Sequence, residues 1–145
     1  IQKFLEVPVS SWTNNEQSII RKINQELNLG LVDDSDDYSH SDASSHKYIV
    51  EIKDRNFPSN HHFGLDGWFL EKYKYDSLCK KKTDNQEILY INSFTDNIIA
   101  IWNLSEIENF NWEVGFMNKT TYGNDPRINK LVAKLKIKDA ITIRR

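Results

Sequence analysis

K-Y-I-V-E-I-K-D-R, residues 47–55, is an apolar run that ends in charge. From Tyr48 to Ile52 it is rich in the β-branched and aromatic residues that suit a pleated, half-buried strand. Successive side chains of a strand leave opposite faces, so Tyr48, Val50 and Ile52 share one side while Ile49, Glu51 and Lys53 share the other. A carboxylate and an ammonium are thereby held side by side on one face of an apolar strand.

Upstream, N-N-E-Q-S-I-I-R-K-I-N-Q-E-L-N-L-G places Ile19, Ile20, Ile23 and Leu27 at helical spacing. Asn14 or Thr13 serves as N-cap and Gly30 as the stop. Between this helix and the strand lies L-V-D-D-S-D-D-Y-S-H-S-D-A-S-S-H, residues 31–46. A short strand from Tyr38 to Ala43, turning at Ser44-Ser45 into the strand that begins at Lys47, makes a hairpin there.

Downstream, L-D-G-W-F-L-E-K-Y-K-Y-D-S-L-C-K-K-K reads as a second helix, with Leu65, Trp68, Phe69, Tyr75 and Cys79 on one face. On a wheel of about 100° per residue, Lys72 occupies the centre of that stripe, Asp76 stands beside it and Lys74 points away. Cys79 is expected to pack as a small core residue. Glu87 to Phe94 and Asn97 to Leu104 form a second hairpin around a Thr-Asp-Asn turn. The final stretch R-I-N-K-L-V-A-K-L-K-I-K-D-A-I-T-I-R-R fits a short helix or a strand with a lysine face, and periodicity does not separate the two.

The chain of 145 residues suits one domain, 1–145, of mixed α/β class. Its single cysteine cannot form an internal disulfide, and no apolar run or leader marks a membrane span or secretion, so a cytoplasmic setting without membrane contact is expected. The N-x-[ST] triplets at Asn103 and Asn118 then carry no sugar. Abundant Ile, Asn and Lys suggest AT-rich coding, as in a phage or an AT-rich bacterium; a GC-rich gene would refute this.

Nineteen basic against twenty-one acidic residues, net −2, argue against a protein that simply coats nucleic acid. The distribution is uneven. Five aspartates lie between Asp33 and Asp42, whereas lysines gather at Lys72, Lys74 and Lys80 to Lys82, and again from Lys130 to Lys138. Such a pattern suits divalent cations held beside a polyanion, or a plain solvated surface.

If Asp42 and Glu51 converge across the first hairpin, their repulsion is relieved by a hard dication such as Mg²⁺, which takes oxygen ligands and retains waters. Lys53, one strand period beyond Glu51, is placed to orient a water or to stabilise charge developing on a phosphate. An aspartate, a short spacer and Glu-x-Lys on an apolar strand between two helices resemble the PD-(D/E)xK nuclease superfamily, with Y-I-V-E-I-K as the most diagnostic segment. The resemblance spans roughly residues 14–104 and includes the second hairpin.

The resemblance implies a restriction-endonuclease-like central mixed sheet flanked by helices, a phage-type member among the options, and hydrolysis of DNA phosphodiester bonds with Mg²⁺ or Mn²⁺. Cleavage would be endo- or exonucleolytic, and many such nucleases act as homodimers. Asp42 and Glu51 would ligate the metal with help from the Ile52 carbonyl, and Lys53 would position water. Glu16 is the candidate for the family's first-helix glutamate, and Lys72 for the polar residue of the following helix. The sequence departs from the pattern in having Ser41 where a proline often stands, and its step from Asp42 to Glu51 is short, so Asp36 and Asp37 remain alternatives.

A second class stays open, a catalytically inactive module on the same fold that binds nucleic acid or protein. A third is an unrelated α+β domain in which Glu51 and Lys53 are a surface pair. Adjacent His61 and His62 have no zinc-spaced partner, and His40 and His46 flank the first hairpin's turn. No nucleophile elbow, P-loop or glycine-rich dinucleotide fingerprint is present.

Overall fold

The computed structural model describes residues 14–33, 42–60, 67–118 and 127–145. Asp36, Asp37, His40, His61 and His62 lie outside them, as does Thr13.

Helix α1 (Asn14–Leu27) buries Ile19, Ile20 and Ile23 against the sheet, each burial contributing about 1.5–3 kcal/mol. It ends at Asn28, which adopts φ 54° and returns its N–H to the Asn24 carbonyl at 2.8 Å, a left-handed cap that an Asn tolerates. Gly30 follows at φ 65°, where any side chain would be strained. The Asn24 amide then pins the reversed chain by bonding both the N–H and the C=O of Leu31, at 2.8 and 3.0 Å.

The main sheet runs β1 (Val32–Asp33), β2 (Ala43–Ser44), β3 (Tyr48–Asp54), β5 (Glu87–Ser93), β6 (Ile98–Asn103) and β9 (Ile141–Arg144), in that spatial order. All neighbours are antiparallel except the central pair β3 and β5, which run parallel from Tyr48↔Glu87 to Asp54↔Ser93. The fold is therefore mixed α/β. The first hairpin forms where Ala43 pairs with Val50, and Ser45 closes its turn by accepting the Tyr48 N–H on Oγ at 3.2 Å. In the second hairpin, Asn97 at φ 66° donates to the Phe94 carbonyl at 3.2 Å. A parallel neighbour needs a long crossover, and residues 55–86 supply it.

That crossover corrects the expected helix over 65–82. Gly67–Glu71 is a strand, β4, and only Lys72–Lys81 is helical, as α2. The cause is tertiary: β4 pairs with β8 (Arg127–Lys136), which also pairs with β7 (Glu113–Asn118) in a second, three-stranded antiparallel sheet. Of the two readings open for residues 127–145, the strand is realised. Glu71, extended at φ −77° and ψ 133°, is the boundary. Cys79 is exposed rather than core, because Leu78 takes the buried position of α2.

The sheet's two faces carry separate cores. One packs α1 on Val50, Ile52, Leu89, Ile91, Ile99 and Ile101. The other packs Leu78 of α2 and Leu70 and Leu135 of the second sheet on Ile49, Ile88, Tyr90 and Trp102. Trp102 Nε1 donates to the Lys136 carbonyl at 2.9 Å, joining the two sheets across this second core. No helix among the described residues is long and apolar enough to cross a membrane.

Candidate active site

Glu51 belongs to the face that packs on the second sheet, and it is 5 % exposed among apolar neighbours. Such burial costs a carboxylate its hydration, so the group requires partners. The structure supplies three. Lys53 Nζ lies 3.6 Å from Glu51 Oε1 and Lys74 Nζ lies 3.3 Å from the same oxygen. The third is Asp42, whose side chain is hydrogen-bonded to Glu51.

Asp42 reaches Glu51 because the first hairpin continues past β2. The Asp42 N–H bonds the Val50 carbonyl at 2.8 Å, and its Oδ2 accepts the Ile52 N–H at 2.7 Å. Burial and then the Glu51 charge push the Asp42 carboxyl up to about 7, against the pull of the Ile52 N–H and Lys53. Near neutral pH Asp42 therefore still carries its proton for about half the time.

Lys72 is not the lysine that reaches this face. It bonds Asp76 at 2.8 Å and stands over the Trp112 ring at 5.8 Å, while Lys74 takes the place beside Glu51. The wheel failed because it drew its apolar stripe from residues before Lys72, where Gly67–Glu71 is a strand; within Lys72–Lys81 the buried Leu78 marks the inward side, and Lys74, four residues before it, shares that face. The boundary at Glu71 is the signal that selects Lys74. Tyr75 stacks on Phe110 at 4.7 Å, and its hydroxyl is pushed up to about 12 by burial and then by the Cys79 thiol.

Glu16 sits in the first turn of α1, on the sheet face opposite Glu51. The neighbouring Asn15 bonds Asp54 and accepts from Arg145 at 2.6 Å, which sets this turn at the carboxyl end of β3. Its assignment to the site rests on the resemblance alone. Asp42, Glu51 and Lys53 are brought together; Glu16 approaches from another layer.

The sequence reading missed a polar group on the same face. Register pairs Glu51 with Tyr90 and Lys53 with Asn92. Arg55, just past β3, donates from Nε to Asn92 Oδ1 at 2.6 Å and from Nη2 to Tyr90 Oη at 2.9 Å, and lies 5.4 Å over the Trp68 ring. Burial pushes the Tyr90 hydroxyl up from its ordinary value. Asn92, the only amide in E-I-L-Y-I-N-S, was the visible signal, but only the parallel register gives it neighbours.

Among the described residues no three His, Cys, Asp or Glu side chains gather into one metal-holding group; Asp42 and Glu51 are the two carboxyls that meet at this face. A cleft of about 620 Å³ lies elsewhere, lined by Ser45, His46, Thr83 and Gln86 at the amino ends of β3 and β5, with no carboxylate among its described lining residues. His46 is exposed at its edge. No family model, curated protein or solved structure matches the chain.

Proposed function

We propose that the chain is a Mg²⁺- or Mn²⁺-dependent deoxyribonuclease on a restriction-endonuclease-like sheet. The observation that carries this reading is the hydrogen-bonded contact of the Asp42 and Glu51 carboxyls, with Lys53 on the same face. The order of α1, an antiparallel β1-β2-β3 meander, α2 and a strand parallel to β3 supports the family resemblance. DNA is favoured as substrate by Lys53, Lys74 and Arg55, three cations on the face that carries the two carboxyls.

The donors fit a hard dication. Two carboxylates would share it, and the Ile52 carbonyl leaves β3 on the same edge as the Ile52 N–H that Asp42 accepts, because a strand residue directs both groups to one side. The bound ion would lower the pKa of a water and offset charge developing on the phosphate. Asp42 must lose its proton to serve as a ligand, so metal binding strengthens as pH rises through about 7. Lys53 holds the attacking water and Lys74 neutralises a phosphate oxygen beside Glu51. The parallel strands aim this face toward their carboxyl ends, where open α/β sheets place their ligands.

A second reading, a silent nucleic-acid-binding module, is favoured by the two lysines that already compensate Glu51. Incubation with linear duplex and single-stranded DNA, in Mg²⁺ and in EDTA, separates the two. The enzyme reading requires cleavage in Mg²⁺ alone, abolished in Glu51→Ala and Lys53→Ala with unchanged circular dichroism. Binding without cleavage supports the second reading; full cleavage by both variants refutes the site.

A further inference from the structure

Asn92 is 0 % exposed; its Oδ1 is taken by Arg55, while its Nδ2 makes no well-formed hydrogen bond among the described residues and has the Tyr90 hydroxyl as a polar neighbour. The amide cannot be turned over to relieve this. Arg55 Nε approaches the other amide atom at 2.6 Å, and a guanidinium only donates, so that atom must be the oxygen. A buried donor without a well-formed bond is costly and rare in a folded protein, and it asks what the group is kept for.

Arg55 poses the same question from the other side. Two of its donors are committed to Asn92 and Tyr90, its plane is backed by Trp68, and its own N–H bonds the Ser93 carbonyl at 2.8 Å. Among the described residues no carboxylate lies within ion-pair distance of it, whereas Lys72 and Lys130 each have one, in Asp76 and Glu71. The guanidinium is fixed in direction, charged and unneutralised, with N–H groups left over. The Lys53 ammonium belongs to the same patch, since Lys53 is the register partner of Asn92.

We infer that Arg55, held in place by Asn92 and Tyr90, forms a phosphate subsite beside Lys53, binding a backbone phosphate of the nucleic acid next to the one that is cleaved. The inference rests on the nuclease reading and extends it from the reacting phosphate to its neighbour. Arg55 offers its remaining guanidinium N–H groups, a planar donor edge that suits phosphate oxygens, while the buried Asn92 amide fixes its direction through Nε. Tyr90 and Trp68 hold the guanidinium in place, so little side-chain freedom is lost on binding.

The test measures affinity for a short DNA duplex over a salt series in EDTA, where no cleavage occurs. Removing one phosphate contact lowers the slope of log K against log salt by about one and weakens binding about tenfold near 0.1 M salt. Arg55→Gln is expected to show both. Asn92→Asp retains the oxygen that Arg55 needs but sets a negative charge in the subsite, and it is expected to weaken binding by at least as much. Near-UV circular dichroism checks that the variants are folded; should Arg55→Gln fail to fold, Asn92→Asp decides. An unchanged slope in the folded variant, with wild type binding normally, overturns this subsite and leaves the nuclease reading standing. Absence of DNA binding by wild type removes both.

Discussion

Replacing Asp42 by Asn should make the protein more stable above neutral pH while removing cleavage. Burial and the Glu51 charge push the folded Asp42 carboxyl up to about 7 from the ordinary aspartate value of 3.8. Below pH 4 both folded and unfolded states hold the proton, and the group costs nothing. As pH rises toward 7 the unfolded chain releases it first, so stability falls across that window and levels off above it. The full shift corresponds to about 4 kcal/mol, and screening at a partly exposed carboxyl reduces the working figure to about 2 kcal/mol. Asn keeps an acceptor for the Ile52 N–H and carries no charge toward Glu51. Asp42→Asn should therefore exceed wild type by about 2 kcal/mol at pH 8, or about 4–8 °C in Tm for a chain of this size, and match it near pH 4. Metal-free urea unfolding at several pH values measures this, and Mg²⁺ should raise wild-type stability at pH 8 and leave the variant unchanged. Parallel stability curves for the two proteins between pH 4 and 8 would refute the carboxyl-pair geometry.

Two further outcomes follow from the placement of α2. Lys74→Ala should slow DNA cleavage by at least tenfold, whereas Lys72→Ala should change the rate less than twofold, because an exposed pair such as Lys72–Asp76 is worth about 0–1 kcal/mol; initial rates on a labelled duplex decide between them. Leu78→Ala, which empties the one buried position of α2, should cost about 2–5 kcal/mol in denaturant unfolding and lower activity only through loss of folded protein, with kcat per folded molecule unchanged, whereas an exposed-site control at Cys79 should alter neither.

The local parts of the site were legible in the sequence. Glu51 and Lys53 share a face because a strand repeats every second residue, and Asp42 lies opposite the end of Y-I-V-E-I-K because the hairpin is short. What was not legible depended on partners far along the chain. G-W-F-L-E carries the apolar spacing of a helix, and only the pairing of Trp68 with Leu135 and of Leu70 with Ala133 makes it a strand. That error moved the helix start and exchanged Lys74 for Lys72. The alternation of lysine and aliphatic residues in 127–136 fits either element until β4 and β7 bracket it. Arg55 and Asn92 are remote in sequence, and the parallel register alone brings them together.

The left-handed turn at Asn97 joins β5 to β6 within a few residues, with Ser59 and Arg145 bracing it through Asp96 and the Asn97 carbonyl, whereas β3 reaches β5 only across the crossover. Contacts between segments close in sequence form sooner, since closing a longer loop costs more entropy. The β5–β6 hairpin is thus the template on which β3 docks, and Tyr90 and Asn92 are in place before Glu51, Lys53 and Arg55 arrive. Asp42 and Glu51, by contrast, are close in sequence on the β2–β3 hairpin, so their repulsion is already felt when that hairpin closes. A mutation that relieves the repulsion should speed refolding as well as slow unfolding.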